Sequence, residues 1–352
     1  MVPRNNYRIV TLLDPVRANP AVGHYERAMI NLNEQDLSDL EGFLDILRCP
    51  RSGQRLVIEN ETLATMDGRQ RYRLAYTGIP MFAEDFVSPE AETQRRHYNK
   101  IAVAYTANLA YPHTREYLAY LDRAVLNAVG QGGLGTVAEL CCGRGEALAL
   151  FGSRVHRYIG IDVSESMLQS TLKQRNHPNA ILLQADATHV PLASESVDTV
   201  VVLGGIHHVP ERTQLYLEIA RVLKPGGRFV YREPVSDFLL WRALRAVIYR
   251  LSPMLNHDTE RPLRFEETVP VMEKAGLRSL QYRTYGFLGF CLFMNSDVLV
   301  FNRLFRFVPG IVAITRASAR FDQAILGLPG LRRAGLQVIG VADKPTATRI
   351  DL

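Results

Sequence analysis

The sequence predicts an α/β fold in which helices cover both faces of a mostly parallel sheet. From Thr136 onward, short apolar runs alternate with segments of helical periodicity, which is the order of elements in a parallel sheet with crossover helices. Glycine turns follow several of these runs, as expected where strands pass into helices. The hydrophobic content of 47% is close to that of globular proteins, so a large buried core is expected.

Three segments precede the main domain. Residues 1–40 are polar and interrupted by prolines, and we predict an N-terminal arm. Residues 41–84 hold three short strand-like runs and are predicted to form a small β domain. Residues 85–133 carry apolar side chains at three- and four-residue spacing, which predicts a helical lead-in.

Residues 134–345 are predicted to form the main domain. Between its last two strands, residues 287–334 are rich in Phe and Leu and are predicted to be a helical insertion. Packing against the sheet or a dimer partner, a lid over an apolar substrate, and contact with a membrane surface all suit this insertion. The predicted strands are TVAEL, YIGID, AILLQAD, VDTVVVL, RFVYRE, RSLQYRTY and LQVIGVAD.

Charge and cysteine content give weaker information. The net charge of +5 comes from scattered Lys and Arg, which indicates only weak attraction to nucleic acid or anionic lipid. Four cysteines and an N-terminus without an apolar core predict a cytoplasmic protein, with membrane association left open. No apolar stretch is long enough to cross a bilayer.

Three strand ends carry residues suited to an adenosine-containing cofactor. TVAEL runs into Cys142-Gly143-Arg144-Gly145, where bare backbone lets a ligand approach the carboxyl edge of the sheet. The next strand ends in Asp162, whose carboxylate can accept from both ribose hydroxyls. The third ends in Asp186 beside Ala187, a pair able to bind an adenine edge. A purely structural turn is the alternative for the glycine loop alone.

From Thr136 to Arg232 the sequence resembles the class I S-adenosylmethionine-dependent methyltransferases, in the small-molecule branch that includes quinone-ring enzymes. Glu139 to Gly145 match the first family motif, with Cys141 where the family often has a glycine, and the turn Lys224-Pro225-Gly226-Gly227 is a further family mark. The resemblance implies a Rossmann-like seven-stranded methyltransferase sheet and S-adenosylmethionine as the cofactor.

The resemblance also implies roles for individual residues. Glu139 would orient the methionine ammonium, Asp162 would hold the ribose, and Met167 would cover one adenine face. Tyr98 and Tyr105 would cover the cofactor from the preceding helix. The full set of implied cofactor-binding residues is Tyr98, Tyr105, Glu139, Cys141, Gly143, Gly145, Asp162, Val163, Met167, Asp186, Ala187, Gly204 and Gly205.

Two histidines follow the fourth strand of the main domain, as in the small-molecule branch. An imidazole can deprotonate a hydroxyl or an acidic ring carbon beside the sulfonium, so His207 is the first candidate for a general base and His208 the second. Alternatively, the two histidines stabilise the loop, and alignment of the reactants supplies much of the rate of methyl transfer. Weaker candidates to face the methyl group are Glu233, His257, Asp258, Tyr285 and Asn295, and a surface or packing role is the favoured alternative for each of them.

The small β domain resembles zinc-ribbon-like proteins related to the activator subunit of tRNA methyltransferases. The resemblance rests on FLDILRCPRSGQRL and YTGIPMF, with Ser52 in place of the second cysteine. We expect no metal, because the single thiolate of Cys49 cannot form a tetrahedral site.

The predicted function is methyl transfer from S-adenosylmethionine to oxygen or carbon of a hydrophobic small molecule that is quinone-like, aromatic, polyketide or lipid. An RNA methyltransferase and an inactive methyltransferase-fold binding or scaffold protein are the alternatives. No Asn-Pro-Pro-aromatic motif follows the fourth strand, which disfavours nucleic acid as a partner. A homodimer and peripheral membrane contact are left open.

Overall fold

The seven strands predicted for the main domain are present, together with a small N-terminal sheet. The computed structural model describes residues 34–84, 87–96, 109–172, 177–243, 261–294 and 300–346. The strands are β1 (Leu56–Glu59), β2 (Thr62–Thr65), β3 (Arg71–Arg73), β4 (Gly135–Leu140), β5 (Val155–Asp162), β6 (Ala180–Gln184), β7 (Val197–Leu203), β8 (Leu223–Pro234), β9 (Arg278–Tyr285) and β10 (Gln337–Asp343). The α-helices are α1 (Glu34–Glu41), α2 (Pro112–Val129), α3 (Glu146–Phe151), α4 (Glu165–Leu172), α5 (Arg212–Val222), α6 (Phe265–Lys274), α7 (Leu288–Met294) and α8 (Ile311–Ile325).

The large sheet has seven strands in the order β6-β5-β4-β7-β8-β10-β9. β10 runs antiparallel to both of its neighbours, β8 and β9, and the other pairings are parallel. The predicted seven-stranded methyltransferase sheet is therefore confirmed. The direction of winding reverses between β4 and β7, and in such sheets ligands bind outside the carboxyl ends of the strands at this reversal.

Alternate residues of each strand enter two separate hydrophobic clusters, one on each face of the sheet. Val200 and Val202 of β7 belong to the cluster that includes α5 and α6, whereas Val201 belongs to the cluster that includes α2 and α3. Because both faces are covered, β4 and β7 are buried along nearly their whole length, which explains their largely apolar sequences.

The small sheet β1-β2-β3 is antiparallel and shares its core with the large sheet, since Leu47 and Leu74 belong to the cluster on the α5 face. Met81 forms a parallel bridge with Gln184 at the end of β6, so the chain leaves the small sheet along the edge of the large one. No group of His, Cys, Asp and Glu among the described residues could hold a metal ion. The zinc-ribbon resemblance and the predicted domain boundaries stay predictions.

A buried carboxylate holds the helical insertion together. Asp322 of α8 is 0% exposed and accepts the backbone N–H groups of Phe287, Gly289 and Phe290 at the start of α7. It also accepts a hydrogen bond from the hydroxyl of Tyr117 in α2. Burial, together with the negative charge of Asp322, raises the pKa of this hydroxyl. None of the helices in the described ranges is long and apolar enough to span a membrane.

Candidate functional site

A cleft opens at the carboxyl ends of the parallel strands, where the winding of the sheet reverses. Its walls come from the ends of β4, β5, β6 and β7 and from the helical residues 89–96. Most of the residues predicted from the sequence meet here. Those lining the cleft are Cys141, Gly143, Asp162, Val163, Met167, Asp186, Ala187, Gly204, Gly205 and His208.

The loop after β4 has a backbone that favours glycine at several positions. Gly143 and Gly145 have φ angles of 50° and 73°, in the left-handed region that side chains disfavour. Cys141 also lies there, with φ 52°, so a cysteine holds a conformation that suits glycine better. A Cβ at Gly205 would lie 2.3 Å from the Cβ of Cys141. The loops after β4 and β7 therefore pack so closely that position 205 requires glycine.

Asp162 connects the end of β5 to the glycine loop. Its Oδ2 accepts the N–H of Gly143 at 2.8 Å, and its Oδ1 accepts the N–H of Ser164 at 2.8 Å. Burial raises the pKa of Asp162, and these backbone donors oppose the rise. Each carboxylate oxygen can accept more than one hydrogen bond, so the side chain is still able to bind a pair of ribose hydroxyls.

The Asp186 side chain holds the lead-in segment against the cleft. Its Oδ1 accepts the N–H and the hydroxyl of Thr188 at 2.9 and 2.8 Å, and its Oδ2 accepts the N–H of Ser88 at 3.1 Å. This contact brings residues from before the main domain into the site. The sequence analysis named Tyr98 and Tyr105 from this lead-in, and both lie outside the described residues. Within this lead-in, the residues that line the cleft and that the sequence analysis did not name are Ser88, Glu90, Ala91 and Gln94.

Glu139 is buried behind the glycine loop and is not among the residues that line the cleft. Its Oε1 accepts the N–H of Ala147 at 2.9 Å, and its Oε2 accepts the hydroxyl of Tyr158. Burial raises the pKa of Glu139 to about 8, although these two hydrogen bonds oppose the rise. Gly145 likewise lies outside the cleft lining, at the start of α3. Contact of Glu139 with a methionine ammonium stays a prediction.

Replacing Glu139 with glutamine is expected to flatten the pH dependence of stability. The unfolded chain ionises Glu139 near its ordinary pKa, whereas the folded chain keeps the proton until about pH 8. The protonated side chain of Glu139 therefore contributes its full stabilisation below the ordinary pKa of a glutamate, and this stabilisation is lost as the pH rises through about 8. Glutamine does not ionise, so between about pH 5 and pH 9 the free energy of unfolding of the variant should gain on the order of 4 kcal/mol relative to wild type, measured by urea unfolding without cofactor.

Asp198→Asn is the matched control for this experiment. Asp198 also accepts a backbone N–H, from Thr136 at 2.8 Å. Burial opposes its ionisation, but hydrogen bonds from Lys224 and Thr136 outweigh burial and lower its pKa. Its stabilising contribution is lost only as the pH falls through that lowered value, so its replacement should change stability equally at both pH values. Parallel curves for Glu139→Gln and wild type would contradict the prediction.

Below the loop after β7 lies a fully buried carboxylate, Glu233 of β8. It accepts the N–H groups of Gly205 at 2.7 Å and of Ile206 at 2.9 Å, and that of His207 at 3.3 Å. The Nδ1 of His207 lies 2.8 Å from its Oε2, a contact in which the ring donates to the carboxylate. Glu233 does not line the cleft; its carboxylate is committed to the backbone of this loop, which is the packing role given above as its alternative.

The two histidines have different positions. His208 lines the cleft, whereas His207 does not and is held by Glu233. Their ring centroids are 3.8 Å apart, so the His207 ring supports that of His208. Tyr285 is also away from the cleft, in the cluster with α2. Of the weaker candidates, His257, Asp258 and Asn295 lie outside the described residues.

Residues 138–231 match the family model described as a methyltransferase domain. The chain is 28% identical over 174 residues to the demethylmenaquinone methyltransferase of Lactiplantibacillus plantarum, covering 43% of this chain and 73% of that protein. It is 28% identical over 111 residues to a phthiotriol/phenolphthiotriol dimycocerosates methyltransferase of Mycobacterium ulcerans, covering 30% of this chain and 41% of that protein.

One solved structure shows how far the fold resemblance extends. The 4+2 cyclase SpnF aligns with a TM-score of 0.52 at 17% identity, covering 74% of this chain and 98% of that chain. At this identity the similarity concerns the fold and not the reaction.

Proposed function

We propose that this chain, which is a class I S-adenosylmethionine-dependent methyltransferase, methylates a carbon or an oxygen of a hydrophobic small molecule such as a quinone or a lipid. The single observation that carries the proposal is the composition of the cleft. Its side toward β5 and β6 presents the carboxylates of Asp162 and Asp186, whereas its side toward β7 is mainly apolar around His208. Such a cleft suits a polar cofactor beside an apolar acceptor.

The cofactor side fits an adenosine and a methionine moiety. The absence of side chains at Gly143 and Gly205 leaves space for a ligand in the cleft. A Cβ at Gly143 would lie 3.3 Å from the Cε of Met167. Met167 therefore stands at the wall where the resemblance implies an adenine face. Asp162 would bind the ribose hydroxyls, and Asp186 with Ala187 would bind the adenine edge. When bound, the cofactor supplies a methyl group on an electrophilic sulfonium.

The acceptor side carries two groups able to move a proton, His208 and Glu211, of which Glu211 is exposed to solvent. Leu203, Val209 and Pro210 line this part of the cleft together with His208, so an apolar ring or chain can lie against them. The imidazole of His208 would take the proton from the attacking hydroxyl or ring carbon. We assign His207 a supporting role, because its Nδ1 is engaged by Glu233. The relatives named for demethylmenaquinone and phthiotriol substrates support an apolar acceptor.

A labelled-methyl assay tests the proposed function. Purified protein with tritium-labelled S-adenosylmethionine is offered a demethylated quinol, a hydroxylated aromatic compound, a long-chain diol and bulk RNA, and the label is followed into solvent-extractable product. We expect transfer to at least one hydrophobic acceptor and none to RNA. Label in RNA alone would favour the RNA methyltransferase. Absence of cofactor binding in calorimetry at millimolar S-adenosylmethionine would favour the inactive scaffold.

A further inference from the structure

The helical insertion exposes several large apolar side chains to solvent. Leu304 is 64% exposed, Phe307 69% and Phe321 52%, and Ile314 and Leu328 are also exposed. This set differs from the one that the sequence suggested, because Phe290 and Phe293 are buried, in the cluster with α2. We call the exposed set between residues 304 and 328 the apolar patch. Singly exposed apolar residues are normal, but a concentration within one segment marks an interaction surface.

Helix α8 carries large apolar side chains on its solvent-facing side as well as on its buried side. The buried residues of its inward face are Ile311, Thr315, Ala319 and Asp322. Ile314 and Phe321, which are two turns apart, share the outward face. An ordinary surface helix turns its apolar stripe toward the core. The outward face of α8 therefore has the character of an interfacial helix that lies on an apolar medium.

The charge of the insertion shows which surface would complement it. Residues 300–334 contain six arginines, no lysine and one acidic residue, Asp322. Their net charge of +5 equals that of the whole chain. Asp322 is buried and engaged by the start of α7, so it does not offset the arginines at the surface. Arg316 pairs with Glu116 of α2, which leaves the insertion with a positive excess.

Arginine and aromatic groups lie together at the patch. The guanidinium of Arg306 lies 4.6 Å from the ring centroid of Phe307, and both side chains are exposed. Arg320 is exposed on α8 immediately before Phe321. Aromatic rings that enter the boundary between headgroups and acyl chains, beside arginines that bind lipid phosphates, are the pattern of proteins that dock on anionic membranes.

We propose that the apolar patch and the arginines of residues 303–320 dock the protein on an anionic phospholipid surface. Docking would hold the cleft near the phase in which a hydrophobic acceptor is dissolved. This last step rests on the proposed function, whereas docking itself depends only on the patch and its charge.

Vesicle flotation tests the proposal without any methyl transfer, so its outcome is independent of the proposed function. The full chain is mixed with vesicles of phosphatidylcholine alone or with about one third phosphatidylglycerol. We expect flotation with the anionic vesicles only, weakened at high salt because the charges are solvent-exposed. No flotation with anionic vesicles, or equal flotation with both compositions, would overturn the proposal.

Substitutions within the apolar patch and its arginines test which side chains bind the vesicles. Phe307→Ser combined with Phe321→Ser should reduce the fraction bound by about tenfold or more, and Arg306→Gln with Arg320→Gln should weaken binding to anionic vesicles. Met66→Ser is the matched control, since Met66 is 73% exposed in the small β domain and should leave binding unchanged. Cofactor affinity, measured by calorimetry, checks that each variant is folded. Wild-type flotation of the double Phe variant, or a dimer that this variant alone disrupts in solution without lipid, would overturn the assignment.

Discussion

Asp162→Ala is expected to weaken S-adenosylmethionine binding by about 1 to 3 kcal/mol, roughly 5- to 150-fold. Two losses contribute to this effect. The ribose hydroxyls lose their acceptor, and the N–H groups of Gly143 and Ser164 lose the carboxylate that positions them. Because the second loss loosens the loop on which the cofactor would rest, we expect a value toward the upper end. Calorimetric titration with the cofactor measures it.

Asp198→Ala provides the control for this measurement. Asp198 also accepts a backbone N–H of the sheet, from Thr136, but Thr136 lies at the start of β4, opposite the carboxyl end where the cleft opens. Its removal should lower the free energy of unfolding without changing cofactor affinity. If Asp162→Ala bound the cofactor as tightly as wild type, Asp162 would have no part in the site.

His208→Ala is expected to lower kcat by about 100-fold or more while leaving cofactor affinity unchanged, which is the range for loss of a general base. The physical reason is position. His208 lines the cleft beside Leu203 and Gly205, where an acceptor would approach the sulfonium. Single-turnover kinetics with a saturating acceptor would separate this chemical step from binding.

The variant His207→Ala shows which of the two histidines acts as the general base. It removes the ring that packs against His208 and the contact with Glu233, but the hydrogen bonds that Glu233 accepts from the backbone of Gly205 and Ile206 remain. We therefore expect a smaller loss of kcat than for His208→Ala. A larger loss would make His207 the base, as the sequence first suggested. Wild-type turnover in both variants would leave alignment of the reactants as the source of the rate.

The fold was predictable because the local sequence of each strand indicates that strand. A strand buried on both faces must be apolar along most of its length, and residues 200–203 of β7 meet that demand with side chains that divide between two clusters. The glycine loop was predictable for a similar reason, since Gly143 and Gly145 have positive φ angles. The same loop explains Cys141, which has the backbone conformation expected of the glycine that it replaces.

Contacts between distant segments were not predictable in this way. Nothing near Ser88 in the sequence indicates that its N–H binds Asp186, because the two residues are 98 positions apart. The same holds for Glu233, which looks from its place after a strand like a residue that faces the cleft. Its burial under residues 205–207 follows from the pairing of β7 with β8.

The sequence by itself determined the seven strands, three of the strand ends that line the cleft and the positive charge of the insertion, because these depend on residue type and spacing. The tertiary structure alone decided which of the adjacent histidines lines the cleft and which aromatic side chains of the insertion are exposed. Neighbouring residues on a short turn differ only in direction, and that direction is set by the packing of Glu233 and Asp322 against segments far away in the chain.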